Sequence, residues 1–284
     1  MRRISTFVTM LLAAGAASAC KPDEVVKTED IPTAGVRFIN ALPDSAGAFG
    51  LDMRFVDIVE SNVQFRITFR NGPSTTGTGG VMASGQTQFR AARAGQRRFR
   101  IFLDDTLQVV ASTVLKDTTV TLEAGKTYTA ILMGQARLGT MQLRFFEDVA
   151  PDPGAQIGLR VMNATESAID VRHYALAGTA PATATWAGVA AYGTSSFVTA
   201  AVGDYMYNVR AAGSATNMFA DMRALIGAPK DLVVGIDALP GTTQAGSAVT
   251  LVVYPRSTAG ARTPQTAAFL VPAGSFMWDR RPPR

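Results

Sequence analysis

The 284-residue chain has a single cysteine, a single histidine and few charges, with Asp, Glu, Lys and Arg making up only 17% of it. One cysteine excludes an intrachain disulfide framework and the cysteine-rich zinc sets. One histidine leaves His173 as the only residue that a Ser-His-Asp triad can use, and no Gly-x-Ser-x-Gly elbow accompanies it. No Gly-x4-Gly-Lys-Ser/Thr phosphate loop is present. Charges, Gly or Pro interrupt every apolar stretch, so none reaches the roughly 20 residues of a membrane-spanning helix. With 47% apolar residues, the chain is neither a highly charged disordered protein nor a coiled coil. Its length suits roughly two domains of about 150 residues.

What is present begins at the N-terminus. Met1-Arg2-Arg3 precedes an apolar run from Ile4 to Ala17 and the small-residue box Ala17-Ser18-Ala19, directly before Cys20. That is the layout of a secretory signal peptide over 1–19. A lone cysteine immediately after the box resembles a bacterial lipoprotein signal, in which Cys20 becomes the lipidated first residue. The alternative is ordinary cleavage after Ala19, leaving a free thiol. The twin arginines lack the Phe-Leu portion of a folded-protein export signal. Loss of Arg2 and Arg3 takes the formal charge from +5 to +3, which weakens any electrostatic case for nucleic acid. Residues 20–33 are polar and read as a lipidated tether.

Beyond the tether the apolar period is two. In Val63–Arg70, and again in Phe99, Ile101 and Leu103, alternate positions are apolar, as in half-buried strands. Thr119–Leu122 and Thr127–Leu132, joined by Glu123-Ala124-Gly125-Lys126, read as a hairpin. Further strands are expected at Ile157–Met162, Ala168–Tyr174, Tyr205–Arg210, Leu232–Ile236, Val249–Tyr254 and Ala268–Val271, and one short helix at Ala220–Ile226. Strands at this spacing predict an all-β chain of antiparallel β-sandwiches.

The chain also repeats itself. Val36-Arg37-Phe38-Ile39-Asn40-Ala41 matches Leu159-Arg160-Val161-Met162-Asn163-Ala164, and Leu51-Asp52-Met53-Arg54 matches Ile169-Asp170-Val171-Arg172. This predicts two tandem domains, 34–150 and 151–284, with Ala150-Pro151-Asp152-Pro153-Gly154 as a stiff linker. The opening Asn40-Ala41-Leu42-Pro43-Asp44 followed by Leu51-Asp52-Met53, and the later Leu122-Glu123-Ala124-Gly125-Lys126-Thr127-Tyr128-Thr129, resemble the bacterial envelope domain known as domain-of-unknown-function family 4397. The second copy is the more divergent, with Thr165-Glu166 where Pro-Asp is expected. The resemblance implies an immunoglobulin- or transthyretin-like sandwich in an exported or lipidated protein. It brings no activity and no functional residues.

Candidate chemistry is sparse. His173 shares its strand face with Ile169 and Val171, which predicts a core-edge histidine. Asp104-Asp105 and Asp148/Asp152 read as turn aspartates rather than a calcium set, which needs six to eight oxygens. The glycine-rich Asn71–Gly80 reads as a solvated loop. Arg90, Arg93, Arg97, Arg98 and Arg100 form a basic cluster interleaved with Phe89, Phe99 and Phe102, in which Arg98 and Arg100 read as the wet face of an edge strand; the sharper alternative is a surface for anionic headgroups or acidic polysaccharide. Phe276 and Trp278 are expected to close the second core, ahead of a frayed basic end. No catalytic, cofactor-binding or metal residue is expected.

The expectation is therefore a non-enzymatic envelope lipoprotein, attached through Cys20, without cofactor and without nucleic-acid partner. Lys21 after Cys20 resembles the outer-membrane sorting pattern. The partner is an envelope protein or polysaccharide. A carbohydrate-binding or adhesion protein would group exposed aromatics, with Trp186, Tyr192, Tyr205 and Tyr207 the candidates. An envelope hydrolase would need two convergent carboxylates in a pocket.

Overall fold

The structure, a computed structural model, describes residues 30–44, 51–58, 89–103, 107–256 and 272–283. The signal peptide, Cys20, and the expected elements at 63–70, 71–80, 104–105 and 268–271 lie outside the described residues.

The chain is all-β, as the alternation predicts. The first half contains β1 (Thr33–Asn40), β2 (Leu51–Phe55), β3 (Arg90–Arg93), β4 (Gly95–Leu103), the single-turn α1 (Gln108–Ala111), β5 (Val114–Leu122), β6 (Thr127–Met133) and β7 (Gln142–Glu147). The second half contains β8 (Ile157–Asn163), β9 (Ile169–Ala175), β10 (Trp186–Val189), β11 (Gly193–Thr194), β12 (Val198–Ala200), β13 (Tyr205–Ala211), β14 (Met222–Arg223), β15 (Ala248–Tyr254) and β16 (Ala273–Arg280).

These strands form four sheets stacked as layers. An outer sheet of order β2-β4-β5 faces an inner sheet of order β3-β1-β6-β7. Val36, Phe38, Phe99, Ile101 and Leu132 fill the space between them. The second half repeats the plan, with inner sheet β11-β8-β15-β16 and outer sheet β10-β9-β13-β14 around Leu159, Val161, Val171, Tyr207 and Leu251. A third core of Ile39, Ile131, Met133, Met162, Val252, Tyr254 and Met277 joins the two inner sheets.

This stacking explains the sequence of the inner strands. On β1, Val36 and Phe38 enter the first core while Arg37 and Ile39 point the other way, toward the second half. Strands β8 and β15 are buried at all seven positions, and so carry apolar residues on both faces. Each inner sheet also contains one parallel pair among its antiparallel ones: β1 with β6, and β8 with β15.

Three local expectations are corrected. Glu123–Lys126 does not close a hairpin: β5 pairs with β4 in the outer sheet, and β6 with β1 and β7 in the inner one. The turn crosses between layers, held where Gly125 N–H donates to Thr33 O at 2.8 Å. Residues 220–226 form no helix. A single short turn is costly to nucleate; here Ala224 N–H donates instead to Tyr205 O, and Met222–Arg223 pairs with β13. Leu232–Ile236 is an exposed turn, since no sheet edge meets it. The C-terminal strand runs past Trp278 to Arg280, pairing along the length of β15, and residues 281–283 follow it outside any element.

Candidate functional site

Two constellations lie where the halves meet. The first is a buried ion network. Arg37 and Arg160 hold corresponding places on β1 and β8, and each donates through Nε to a threonine on the neighbouring parallel strand: Arg37 to Thr129 Oγ1 at 2.7 Å, Arg160 to Thr250 Oγ1 at 2.9 Å. Thr129 donates to Asp148 Oδ2 at 2.5 Å, and Thr250 to Asp279 Oδ2 at 2.5 Å. The arginines then cross over. Arg37 Nη2 donates to Asp279 Oδ1, and Arg160 Nη2 to Asp148 Oδ1 at 2.6 Å. Arg160 also reaches Asp279 Oδ1 at 2.8 Å. A phenyl ring covers each guanidinium, Phe89 at 4.4 Å from Arg37 and Phe197 at 4.6 Å from Arg160.

Two aspartates therefore converge, but not as a hydrolytic pair. Their side chains are wholly shielded from solvent, and all four oxygens accept from arginine or threonine. Asp148 is thus no turn former but a buried counter-ion, which corrects the expectation for it. Asp152 does serve the turn, accepting from Gly154 N–H at 3.1 Å and pairing with Arg280 at 2.8 Å. No group of three or more metal-ligating side chains occurs among the described residues.

The second constellation is a cleft of about 660 Å³ at the far ends of the inner strands. Its walls come from the segments that follow β1 (Pro43), β6 (Gln135), β8 (Thr165, Glu166) and β15 (Arg256), with Tyr192 beside them. Asp44, one residue beyond Pro43, shapes one wall by accepting from Ala136 N–H at 2.9 Å and Arg137 N–H at 2.7 Å. Gly134 permits that turn: its φ is +85°, and a Cβ there would meet Thr140 O at 2.3 Å. On the opposite wall, Asn163 Nδ2 donates to Ser167 O, Val189 O and Ala190 O, fixing the loop that carries Thr165 and Glu166. Tyr192 has φ +55°, a strained backbone for a non-glycine residue. Burial first, and the Glu166 carboxylate second, push its hydroxyl pKa up. Gln135 Nε2 donates to Glu166 Oε2 at 3.2 Å. The cleft thus offers an aromatic ring, an amide, a carboxylate and a guanidinium around an apolar floor. Loop residues of this kind follow strands with no periodic pattern, and the sequence marked only Tyr192 among them.

The other candidates are dispersed. His173 is half-buried at the core edge, with its ring 5.3 Å from Tyr205 and 5.6 Å from Trp186. Its Nδ1 lies 3.0 Å from Thr185 Oγ1, and burial pushes its pKa down. Trp186 and Tyr207 are buried beside it, so the four aromatics form no exposed platform. The arginine cluster is also divided, and β4 is the middle strand of its sheet rather than an edge. Arg97 is buried over Phe55 at 4.6 Å and pairs with Asp57 at 3.0 Å. Arg98 and Arg100 share Asp117 across the strand pair, at 2.7 and 2.8 Å.

Among the described residues no helix is long and apolar enough to cross a membrane. No curated protein matches the chain. Among solved structures, the Bacillus anthracis TIE protein is similar over 78% of this chain and 33% of its own, at 9% identity and a TM-score of 0.23. The chain therefore spans about a third of that protein's length. Residues 34–174, from β1 into β9, match the family described as Domain of unknown function (DUF4397).

Proposed function

We infer that the protein is a non-enzymatic envelope lipoprotein, anchored through Cys20, whose two copies of this domain form a cleft that binds an envelope component. The observation that carries the reading is the cleft itself, built by corresponding loops of both halves and bordered by Tyr192, Glu166, Gln135 and Arg256. The repeated Arg–Thr–Asp network supports two copies, since each member of one half has its counterpart in the other. The Ala17-Ser18-Ala19-Cys20 box supports the anchor, and Lys21 supports sorting to an outer membrane. The non-enzymatic reading is supported by the full engagement of Asp148 and Asp279 with arginines and threonines.

A second reading, carbohydrate binding, is favoured by Tyr192 standing beside an amide and a carboxylate, since sugars stack on aromatic faces and hydrogen-bond to such groups. Both readings are tested in intact cells by placing a photo-crosslinking side chain at Arg256. The expected result is capture of one envelope protein or glycan, lost in the Tyr192→Ala, Glu166→Gln variant. Equal capture from that variant would assign the binding elsewhere. The mass of the mature N-terminal peptide reads the acylation of Cys20.

A further inference from the structure

Residues 228–239 form a finger unlike the rest of the surface. Ala228 and Leu239 exchange backbone hydrogen bonds of 3.1 and 2.9 Å, and Asp231 and Ile236 exchange bonds of 2.9 and 3.0 Å. The tip between them is aliphatic and open. Leu232 is 80% exposed, Val233 94% and Val234 63%, with Ile236 and Leu239 exposed behind them. Monomeric proteins seldom present such a contiguous apolar tip without a use for it.

The finger is anchored firmly at its base. Thr242 N–H donates to Leu225 O at 2.7 Å and Thr243 Oγ1 to Ile226 O at 2.6 Å. Gly227 and Gly241 cross so closely that a Cβ on Gly241 would meet Gly227 N at 2.1 Å. At the tip, Asp231 Oδ1 accepts from Val233 N–H at 2.8 Å and Val234 N–H at 3.2 Å, which fixes the turn and leaves these two backbone donors already satisfied. The composition also separates lipid from protein partners. Protein interfaces draw their energy from Trp, Tyr and Arg, with Leu and Val under-represented, and this tip has only the latter.

Its position supplies the remaining argument. The two inner sheets run the same way, since Arg37 meets Arg160 and Ile39 shares a core with Met162. The starts of β1 and β8 therefore lie at one pole and the cleft at the other. The finger's base joins the first pole: Gly241 N–H donates to Ser247 Oγ, and Ser247 O accepts from Gly158 N–H near the start of β8. The chain preceding β1 enters at this same pole. From Cys20 to Thr33 that chain can span at most about 45 Å, which keeps the pole within reach of an anchoring membrane.

We propose that the aliphatic finger inserts into the membrane surface, as a second contact that orients the cleft away from the bilayer. The context rests on the anchor reading above, but the insertion does not require the lipid. The acylated cysteine would hold the chain at the bilayer through a tether that leaves its orientation free, and the finger would fix that orientation.

The test uses the mature chain from residue 20 onward with Cys20→Ser, which carries no signal segment, no lipid and no other thiol. Adding Val233→Cys allows one environment-sensitive dye at the tip. On mixing with vesicles of phosphatidylethanolamine and phosphatidylglycerol, the dye emission is expected to shift to the blue. The shift should persist from about 0.15 M to about 1 M salt, because apolar insertion is not screened. Co-sedimentation of Cys20→Ser should fall at least about tenfold when Leu232, Val233 and Val234 become Ser, with the unfolding midpoint unchanged. An unmoved dye, or equal co-sedimentation of the triple-serine variant, overturns the proposal. Acylated Cys20 with an unmoved dye overturns the finger alone. Unacylated Cys20 with a shifted dye overturns the anchor alone.

Discussion

The two halves share a frame and fill it differently. In the first, Phe55 and Phe99 pair across β2 and β4 with ring centroids 5.1 Å apart, and Phe38 and Phe145 close on Phe99 at 6.3 and 5.5 Å. In the second, the register places His173 where Phe55 stands and Tyr207 where Phe99 stands, 6.2 Å apart, with Val161 in place of Phe38. Trp186 stacks on Tyr207 at 6.1 Å to fill the space. Yet the residues at the junction are the same in both: Arg37 and Arg160, Thr129 and Thr250, Asp148 and Asp279. A core surrounded by its own half can exchange one aromatic for another, since volume and apolarity are what it needs. A crossed ion network cannot, because each charge depends on one from the other half.

The largest effect should therefore come from breaking the junction. Asp279→Ala leaves Arg37 buried with Asp148 only at 3.6 Å. Removing one partner of a buried pair costs about 3–5 kcal/mol. Urea denaturation should show that loss, and a comparable one for Asp148→Ala. A loss in only one of them would mean that the two sides of the network are unequal. A cycle built from Arg37→Ala and Arg160→Ala should be non-additive, because both arginines serve Asp279.

A smaller effect of opposite sign is expected inside the second core. The Tyr207 hydroxyl is fully buried without a hydrogen-bond partner, and burial pushes its pKa far above the ordinary phenol value. Tyr207→Phe restores the residue type of the first half and should stabilise the protein by about 1 kcal/mol. Destabilisation would show that the hydroxyl has a use that its surroundings do not reveal.

His173 gives the halves different responses to acid. Burial lowers its pKa below the usual 6.5, so the folded state resists protonation more than the unfolded one. Its contribution is fully present above that ordinary value and is lost as the pH falls through the lowered folded one. Unfolding midpoints of the wild type and His173→Phe, measured downward from pH 7, should diverge as the wild type weakens more. Parallel curves would mean that the imidazole is hydrated when protonated.

Much of this frame is legible in the sequence, and the reasons for the rest are physical. Alternation located β4, β9 and β13, because one face of each meets a core. The repeated Arg-x-x-Asn-Ala block located β1 and β8. The layer crossing at Glu123–Lys126 was not legible, since a short glycine turn serves a hairpin and a crossing equally well. What decides it is the distant bond from Gly125 to Thr33. The junction left a trace that reading by charge alone misses: an arginine between apolar residues at the same place in both repeats. Asp148 and Asp279 stand at the same offset from Phe145 and Phe276, and Phe145 and Phe276 themselves occupy matching places opposite Ala130 and Leu251. The cleft left almost none, because its walls are loops brought together by the stacking of sheets.

The smallest effect should come from the ion pairs that look most numerous in the sequence. Asp117 receives Arg98 and Arg100 on the outer face of the first half, and hydrogen bonding from Arg98, the largest influence, holds its pKa at about 2. Geometrically the cluster is as close as the junction. The difference is solvent: the Arg98 side chain is 54% exposed, whereas those of Arg37 and Asp279 are wholly shielded. Water and salt weaken an exposed pair, and ordering its long side chains offsets most of what remains. Asp117→Asn should leave the unfolding midpoint where it was, in low salt and high. A clear loss in low salt alone would show that Arg98 and Arg100 act together as a field that Asp117 restrains. The outer face of the first half would then have a reason to be basic beyond keeping its strands soluble.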